Sequence, residues 1–142
     1  MKFNSLIPEF SVSNIEESLE FYKKLGFEVM YERKEDKFYF VQLEENQIML
    51  EEINDNWNTG ELVYPFGRGI NISMTVSDID EFYVGIKSKS VKLFKELKVS
   101  KYKVDDVVYE DKEFLIQDPD GYLLRFNNLS VGFTRYFIDG LT

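Results

Sequence analysis

One short phrase occurs twice in this chain. Phe10-Ser11-Val12-Ser13-Asn14-Ile15-Glu16 returns 64 positions later as Met74-Thr75-Val76-Ser77-Asp78-Ile79-Asp80. A second echo, offset by 75, matches Val41-Gln42-Leu43 and Ile48-Met49-Leu50 with Ile116-Gln117-Asp118 and Leu123-Leu124-Arg125. Self-similarity over whole elements marks a duplicated supersecondary unit, so the chain is constrained to two copies of one module. Two facing copies are expected to leave a cleft, and the residues that line it set the function.

Local signals give the module its plan. Leu6–Val12 alternates, with Leu6, Pro8, Phe10 and Val12 on one face, which predicts a strand buried on one side. Pro8 lacks an N–H and belongs at an edge or a bend. Ser13-Asn14-Ile15-Glu16 reads as a capping box. The helix it starts carries Ile15, Leu19 and Tyr22 at helical spacing and ends at Gly26, a C′ glycine. Strands are expected over Phe27–Arg33, Phe38–Leu43 and Gln47–Ile53, giving βαβββ across residues 5–53. Residues 54–69 are rich in turn formers and hold Trp57, the only tryptophan. The second module, 70–128, repeats the plan. An alternating strand, 70–76, precedes a helix with Ile79, Phe82, Tyr83 and Ile86. Strands follow at Val91–Lys98, Val107–Gln117 and Tyr122–Asn127, and the turn Asp118-Pro119-Asp120-Gly121 separates the last two. The extension 129–142 is too apolar to stay free and is expected to pack on the body or on a second subunit. The fold class is α+β, two βαβββ modules within a single domain spanning 1–142, a length that buries a sizeable core.

Strand alternation then sorts the faces. In the second module Asn71, Ser73, Thr75, Leu123, Arg125 and Asn127 lie opposite the helix. In the first, Ile7, Glu9, Ser11, Ile48, Leu50 and Glu52 are expected there, with Phe38, Phe40 and Gln42 from the middle strand. Glu51 is assigned to the helix side. So many apolar residues should not all face water, which argues for a lined pocket.

Composition excludes several chemistries. Without cysteine there is no disulfide, zinc-thiolate site or thiol nucleophile, and without histidine there is no Ser-His pair. A net charge of −9 argues against nucleic acid and suits a cationic ligand. Neither a signal peptide nor an apolar run of membrane-spanning length is expected, so the cytoplasm is the assigned compartment, with no membrane partner. Glu9 and Glu52 are a conceivable acid/base pair, but solvated acids that attract a cation or pair with Arg125 are the simpler reading.

The paired βαβββ plan, the Val12–Phe27 stretch VSNIEESLEFYKKLGF and the Asp118–Phe126 stretch DPDGYLLRF together resemble the vicinal oxygen chelate superfamily. That superfamily includes glyoxalase I, extradiol dioxygenases, fosfomycin-resistance enzymes and bleomycin-resistance proteins. Its enzymes hold a divalent metal with His and Glu from the first and last strand of each module. By motif those positions fall on Ile7, Leu50, Asn71 and Arg125, none of them a histidine or a carboxylate, so neither a metal nor another cofactor is expected.

The bleomycin-resistance type is the most similar, through Ile48-Met49-Leu50-Glu51, Leu124-Arg125 and Pro8. It implies a homodimer, strand-swapped at Pro8, that sequesters a cationic aromatic antibiotic of the bleomycin class in acidic, aromatic-lined clefts without catalysis. On that reading Phe38, Phe40 and Trp57 stack the ligand. Glu9, Glu52 and Asp106 attract its charge, and Asn71, Ser73 and Arg125 hydrogen-bond it. The alternatives are a metal-dependent glyoxalase- or dioxygenase-like enzyme with atypical ligands, and a structural or regulatory dimer with a vestigial cleft.

Overall fold

A computed structural model describes residues 1–128 and the backbone of 135–137. The elements run β1 (Glu9–Val12), α1 (Ile15–Leu25), β2 (Glu28–Arg33), β3 (Phe38–Leu43), β4 (Asn46–Glu52), β5 (Asn71–Thr75), α2 (Ile79–Ser88), β6 (Lys95–Val104), β7 (Val107–Gln117), β8 (Leu123–Asn127) and β9 (Arg135–Phe137). The protein is α+β with two βαβββ modules, as the duplication predicts. One sheet has the order β1-β4-β3-β2 and the other β5-β8-β7-β6, with β9 on β7. In each, the first strand runs parallel to the last and the remaining pairs are antiparallel.

Two units are distinguished, Met1–Ile70 with Asp118–Tyr122, and Asn71–Gln117 with Leu123–Thr142. The Asp118–Tyr122 turn thus groups with the first unit, not with the 70–128 module drawn from sequence. Its side chains explain this. Tyr22 donates to Asp118 Oδ2 at 2.7 Å, Ser13 donates to Asp120 through both N–H and Oγ–H, and the Tyr122 hydroxyl donates to Ser11 O at 2.9 Å. Tyr122 also stacks on Phe10, with ring centroids 4.3 Å apart.

Both helices start one residue later than the capping-box pattern suggests. Asn14 and Asp78 are the N-caps, accepting from Glu17 N–H and Glu81 N–H at 3.0 Å. Ser13 is released from capping and serves Asp120 instead. Gly26 closes α1 at φ 111°, a conformation that costs glycine no Cβ clash. The core of the first unit packs Phe10, Val12, Val41, Ile48 and Leu50 under Ile15, Leu19, Tyr22 and Leu25. In the second, Phe114 and Phe126 meet Tyr83 and Phe82, each pair at 4.9 Å.

The remaining differences are local. Pairing with β4 extends β1 only over Glu9–Val12, because residues 2–6 leave the strand to reach across to Gln47. The expected strand Val91–Lys98 is displaced to Lys95–Val104, where it forms a long hairpin with β7. Apart from β9, which pairs with Val107–Tyr109, the expected packing of the C-terminal extension lies outside the described residues.

Candidate functional site

Strand register overturns the face assignment of β4. Parallel partners share a face, and β1 pairs Glu9 with Met49, Phe10 with Leu50 and Ser11 with Glu51. Antiparallel pairing with β3 agrees: Phe38 opposes Glu51, Tyr39 opposes Leu50 and Phe40 opposes Met49. The face away from α1 therefore carries Glu9, Ser11, Gln47, Met49 and Glu51. Ile48, Leu50 and Glu52 belong to the helix side. Glu52 confirms its side by accepting the N–H of Ile15, the first residue of α1, at 3.1 Å.

A one-residue difference between the modules causes the error. Phe10 pairs with Leu50, and its counterpart Met74 pairs with Phe126, so β4 and β8 correspond at an offset of 76. Val41 opposes Ile48 and Ile116 opposes Leu124, so the preceding strands correspond at 75. The turn before β8 is one residue longer. Arg125 is thus equivalent to Met49, not to Leu50, which is fully buried.

In the first unit a cavity of about 550 Å³ opens beside Glu9. Five carboxylates line it, from Glu9, Glu35, Asp36, Glu51 and Glu52, against the two cations Arg33 and Lys37. Glu51 is only 7% exposed, and its Oε1 accepts from Asn54 Nδ2 at 2.9 Å and Trp57 Nε1 at 3.2 Å. These bonds hold the Trp57 indole at the wall, with 62% of the residue exposed. Burial raises the Glu9 pKa above its ordinary value, the Glu51 charge adds to the rise, and Arg33 opposes it. Glu52 moves the other way, held down by the hydrogen bond from Lys37 Nζ at 2.8 Å and then by the Ile15 N–H.

The cavity brings together Glu9, Glu52 and Trp57. Phe38 and Phe40 are not free to stack a ligand: each is 1% exposed. The Arg33 guanidinium lies 3.8 Å from the Phe38 ring centroid. Tyr31 stacks on Phe40 at 5.3 Å, and Phe3 packs edge-on at 5.4 Å. Phe3 is held there because Asn4 N–H donates to Gln47 Oε1, and Gln47 Nε2 donates to Lys2 O, both at 2.7 Å. Arg33, Glu51 and Asn54 also line the cavity, and strand alternation does not point to them. The β4 register, had it been legible, would have pointed to Glu51.

Asn71, Ser73, Arg125 and Asp106 belong to the second unit. Ser73 and Arg125 are register partners on the face away from α2, as alternation predicts, and Asn71 lies one pleat along. Asn127 Nδ2 donates to Ser73 Oγ at 2.8 Å. Arg125 Nη1 stands 3.9 Å from Glu113 Oε1. Asp111 is held at a pKa of about 6, first by burial and then by its hydrogen bond with Glu113, while Arg125 lowers it. Asp106 does not join this group. It sits in the turn before Val107, eight residues along β7 from the Arg125 partner Leu115, about 26 Å of extended strand.

Corrected for register, the four positions implied for a metal read Ile7, Met49, Asn71 and Arg125. An aliphatic chain, a thioether, an amide and a guanidinium do not form a divalent-cation ligand set, and the guanidinium repels one. Among the described residues no helix is long and apolar enough to cross a membrane.

The family description Glyoxalase/Bleomycin resistance protein/Dioxygenase superfamily matches residues 7–126. A glyoxalase/bleomycin resistance protein/dioxygenase from Alicyclobacillus acidocaldarius is similar in structure, with a TM-score of 0.62 at 20% identity, over 87% of this chain and 89% of its own. TioX from Micromonospora sp. ML1 gives 0.67 at 12% identity, over 88% and 98%. A superfamily member from Vibrio splendidus 12B01 is 32% identical over 84% and 92%, with a TM-score of 0.40. No curated protein matches the chain.

Proposed function

The chain belongs to the glyoxalase/bleomycin resistance protein/dioxygenase superfamily, and on that premise we propose that it binds and sequesters a cationic, flat antibiotic of the bleomycin class without transforming it. The observation that carries this reading is the cavity beside Glu9. Its lining holds three more carboxylates than cations, and an exposed indole stands at its wall. Carboxylates attract ammonium or amidinium groups, and the indole face offers both stacking area and a cation–π surface. Trp57 and Glu9 keep the roles expected from sequence. Glu51, which accepts from the indole N–H, takes over from Glu52 the role of attracting the ligand's charge, since Glu52 is engaged by Lys37 and α1. Asn71, Ser73 and Arg125 are proposed to supply further polar contacts, and the homodimer is part of the same reading.

Catalysis finds less support in the residues. The metal positions lack suitable donors, and although Glu9 and Glu52 both line the cavity, Glu52 is tied to Lys37 and the Ile15 N–H, which hold its pKa down and make it a poor proton donor.

Titration with metal-free bleomycin, followed by Trp57 fluorescence, tests the proposal. Saturable quenching at micromolar drug is expected. Unchanged emission at that concentration refutes the assignment to this drug class.

A further inference from the structure

We propose a second binding site, for a small primary ammonium ion, in a cavity of about 300 Å³ at the start of α1 in the first unit. It shares no lining residue with the acidic cavity. Its volume lies at the small end of ligand pockets.

Ser18 carries the argument. The residue lines the cavity and is only 1% exposed, and its Oγ has no hydrogen-bond partner among the described residues. Buried hydroxyls are normally satisfied, so an orphan beside a cavity points to a missing partner. A serine in a helix can return its hydroxyl to the carbonyl four residues back, and this one does not.

The surroundings select the sign of the ligand. A helix N-terminus alone favours an anion through its exposed N–H groups. Here three of those donors are committed: Ile15 N–H to Glu52, Glu17 N–H to Asn14 Oδ1 and Ser18 N–H to Asn14 O. Ser13 spends both its N–H and Oγ–H on Asp120. Acceptors remain. The Asp120 carboxylate and the exposed Glu17 carboxylate both line the cavity. Two full negative charges outweigh the roughly half positive charge of the helix end. Tyr64 and Phe66, also in the lining, add aromatic surface that suits a cation with a short apolar body. An ammonium with N–H bonds can donate to Ser18 Oγ, which a quaternary ammonium cannot.

The test uses the full chain, labelled with nitrogen-15 and titrated with n-butylammonium chloride against sodium chloride at equal concentration. Saturable amide shifts at 14–18, Tyr64 and Phe66 are expected, with the Trp57 indole signal unmoved. Ser18→Ala removes an unsatisfied hydroxyl, so the variant should fold and bind about five-fold more weakly, the net worth of one hydrogen bond. Tyr64→Ala, at an exposed ring, should weaken binding as well. Tetramethylammonium should bind wild type more weakly than n-butylammonium and be indifferent to Ser18→Ala. Shifts no larger than those with sodium chloride overturn the proposal, as does equal n-butylammonium affinity in Ser18→Ala or a response centred on Trp57. Because the cavities are separate, a negative result here leaves the bleomycin titration unaffected.

Discussion

Tyr22→Phe is the sharpest test of how the Asp118 turn is held. The Tyr22 hydroxyl is buried, its pKa is driven well above 10 by burial and by the Asp118 charge, and it therefore remains a donor throughout the working range. It donates to Asp118 Oδ2 at 2.7 Å, while Oδ1 accepts the N–H groups of Asp120 and Tyr122, each at 2.9 Å. Burial nevertheless raises the Asp118 pKa from 3.8 to about 6, against the lowering effect of these three bonds. The folded state holds this proton more tightly than the unfolded state. Stability contributed by Asp118 is hence greatest below about pH 4, falls as pH rises toward 6, and stays at its lower level above that. The gap corresponds to roughly 3 kcal/mol at most. Deleting the hydroxyl removes a bond to a buried carboxylate, worth about 1.5–3 kcal/mol when the acceptor is charged and nearer 1 kcal/mol when it is neutral. Tyr22→Phe should thus cost about 2 kcal/mol at pH 7.5 and about half that at pH 4.5. Urea unfolding at both pH values, followed by circular dichroism at 222 nm, measures the difference, and comparison with wild type at each pH cancels every other titrating group. An equal loss at the two pH values, or a larger one at pH 4.5, refutes the assignment of Asp118 as the perturbed acid.

Asn14→Ala and Asp78→Ala should each destabilise by about 1 kcal/mol in urea unfolding, whereas Ser77→Ala should leave the cap of α2 intact, because the side-chain acceptor is Asp78. Gly121→Ala should cost more than 1 kcal/mol, since φ is +94° and a new Cβ would lie 2.5 Å from Pro65 Cβ; a thermal midpoint equal to wild type contradicts the close approach. In the acidic cavity, Glu51→Gln keeps an acceptor for Trp57 but removes one charge, which at about 6 Å in water is worth about 0.7 kcal/mol, so bleomycin affinity by calorimetry should fall about three-fold. Affinity should also decline on acidification, because Glu9, its pKa raised by burial and by Glu51, takes up a proton at a higher pH than an ordinary glutamate; Glu9→Gln should flatten that profile.

The duplication made the architecture legible because element type and order follow from periodicity, and a repeat doubles every such signal. Alternation alone placed the second module's faces, since Asn71, Ser73 and Thr75 are polar where Ile72 and Met74 are apolar. In β4 the same reasoning failed. Ile48, Met49 and Leu50 are apolar without a break, so no polar residue marks the outward side. With local contrast missing, the echo at offset 75 was the only guide, and the longer Asp118–Gly121 turn made it one residue wrong. In a strand a slip of one exchanges the two faces completely. Glu51 and Glu52 consequently traded places, and a buried Leu50 was assigned to the cleft.

The aromatic residues show a different limit. Phe38 and Phe40 lie on the face that sequence assigned them, yet neither is exposed. What covers them is remote or unpatterned: Arg33 comes from the neighbouring strand, and Phe3 arrives on a segment tied down by Gln47, 43 residues away from Asn4. Periodicity reports which way a side chain points and carries no information about what a non-local segment lays on top of it. Trp57 is the converse case. It lies in a connector without regular structure, and a sequence pattern could only suggest that it covers something apolar. Its indole N–H instead finds the carboxylate of Glu51, leaving the ring largely exposed against a wall of acids. One hydrogen bond between a loop and a strand thus separates an aromatic residue available to a ligand from two that are not.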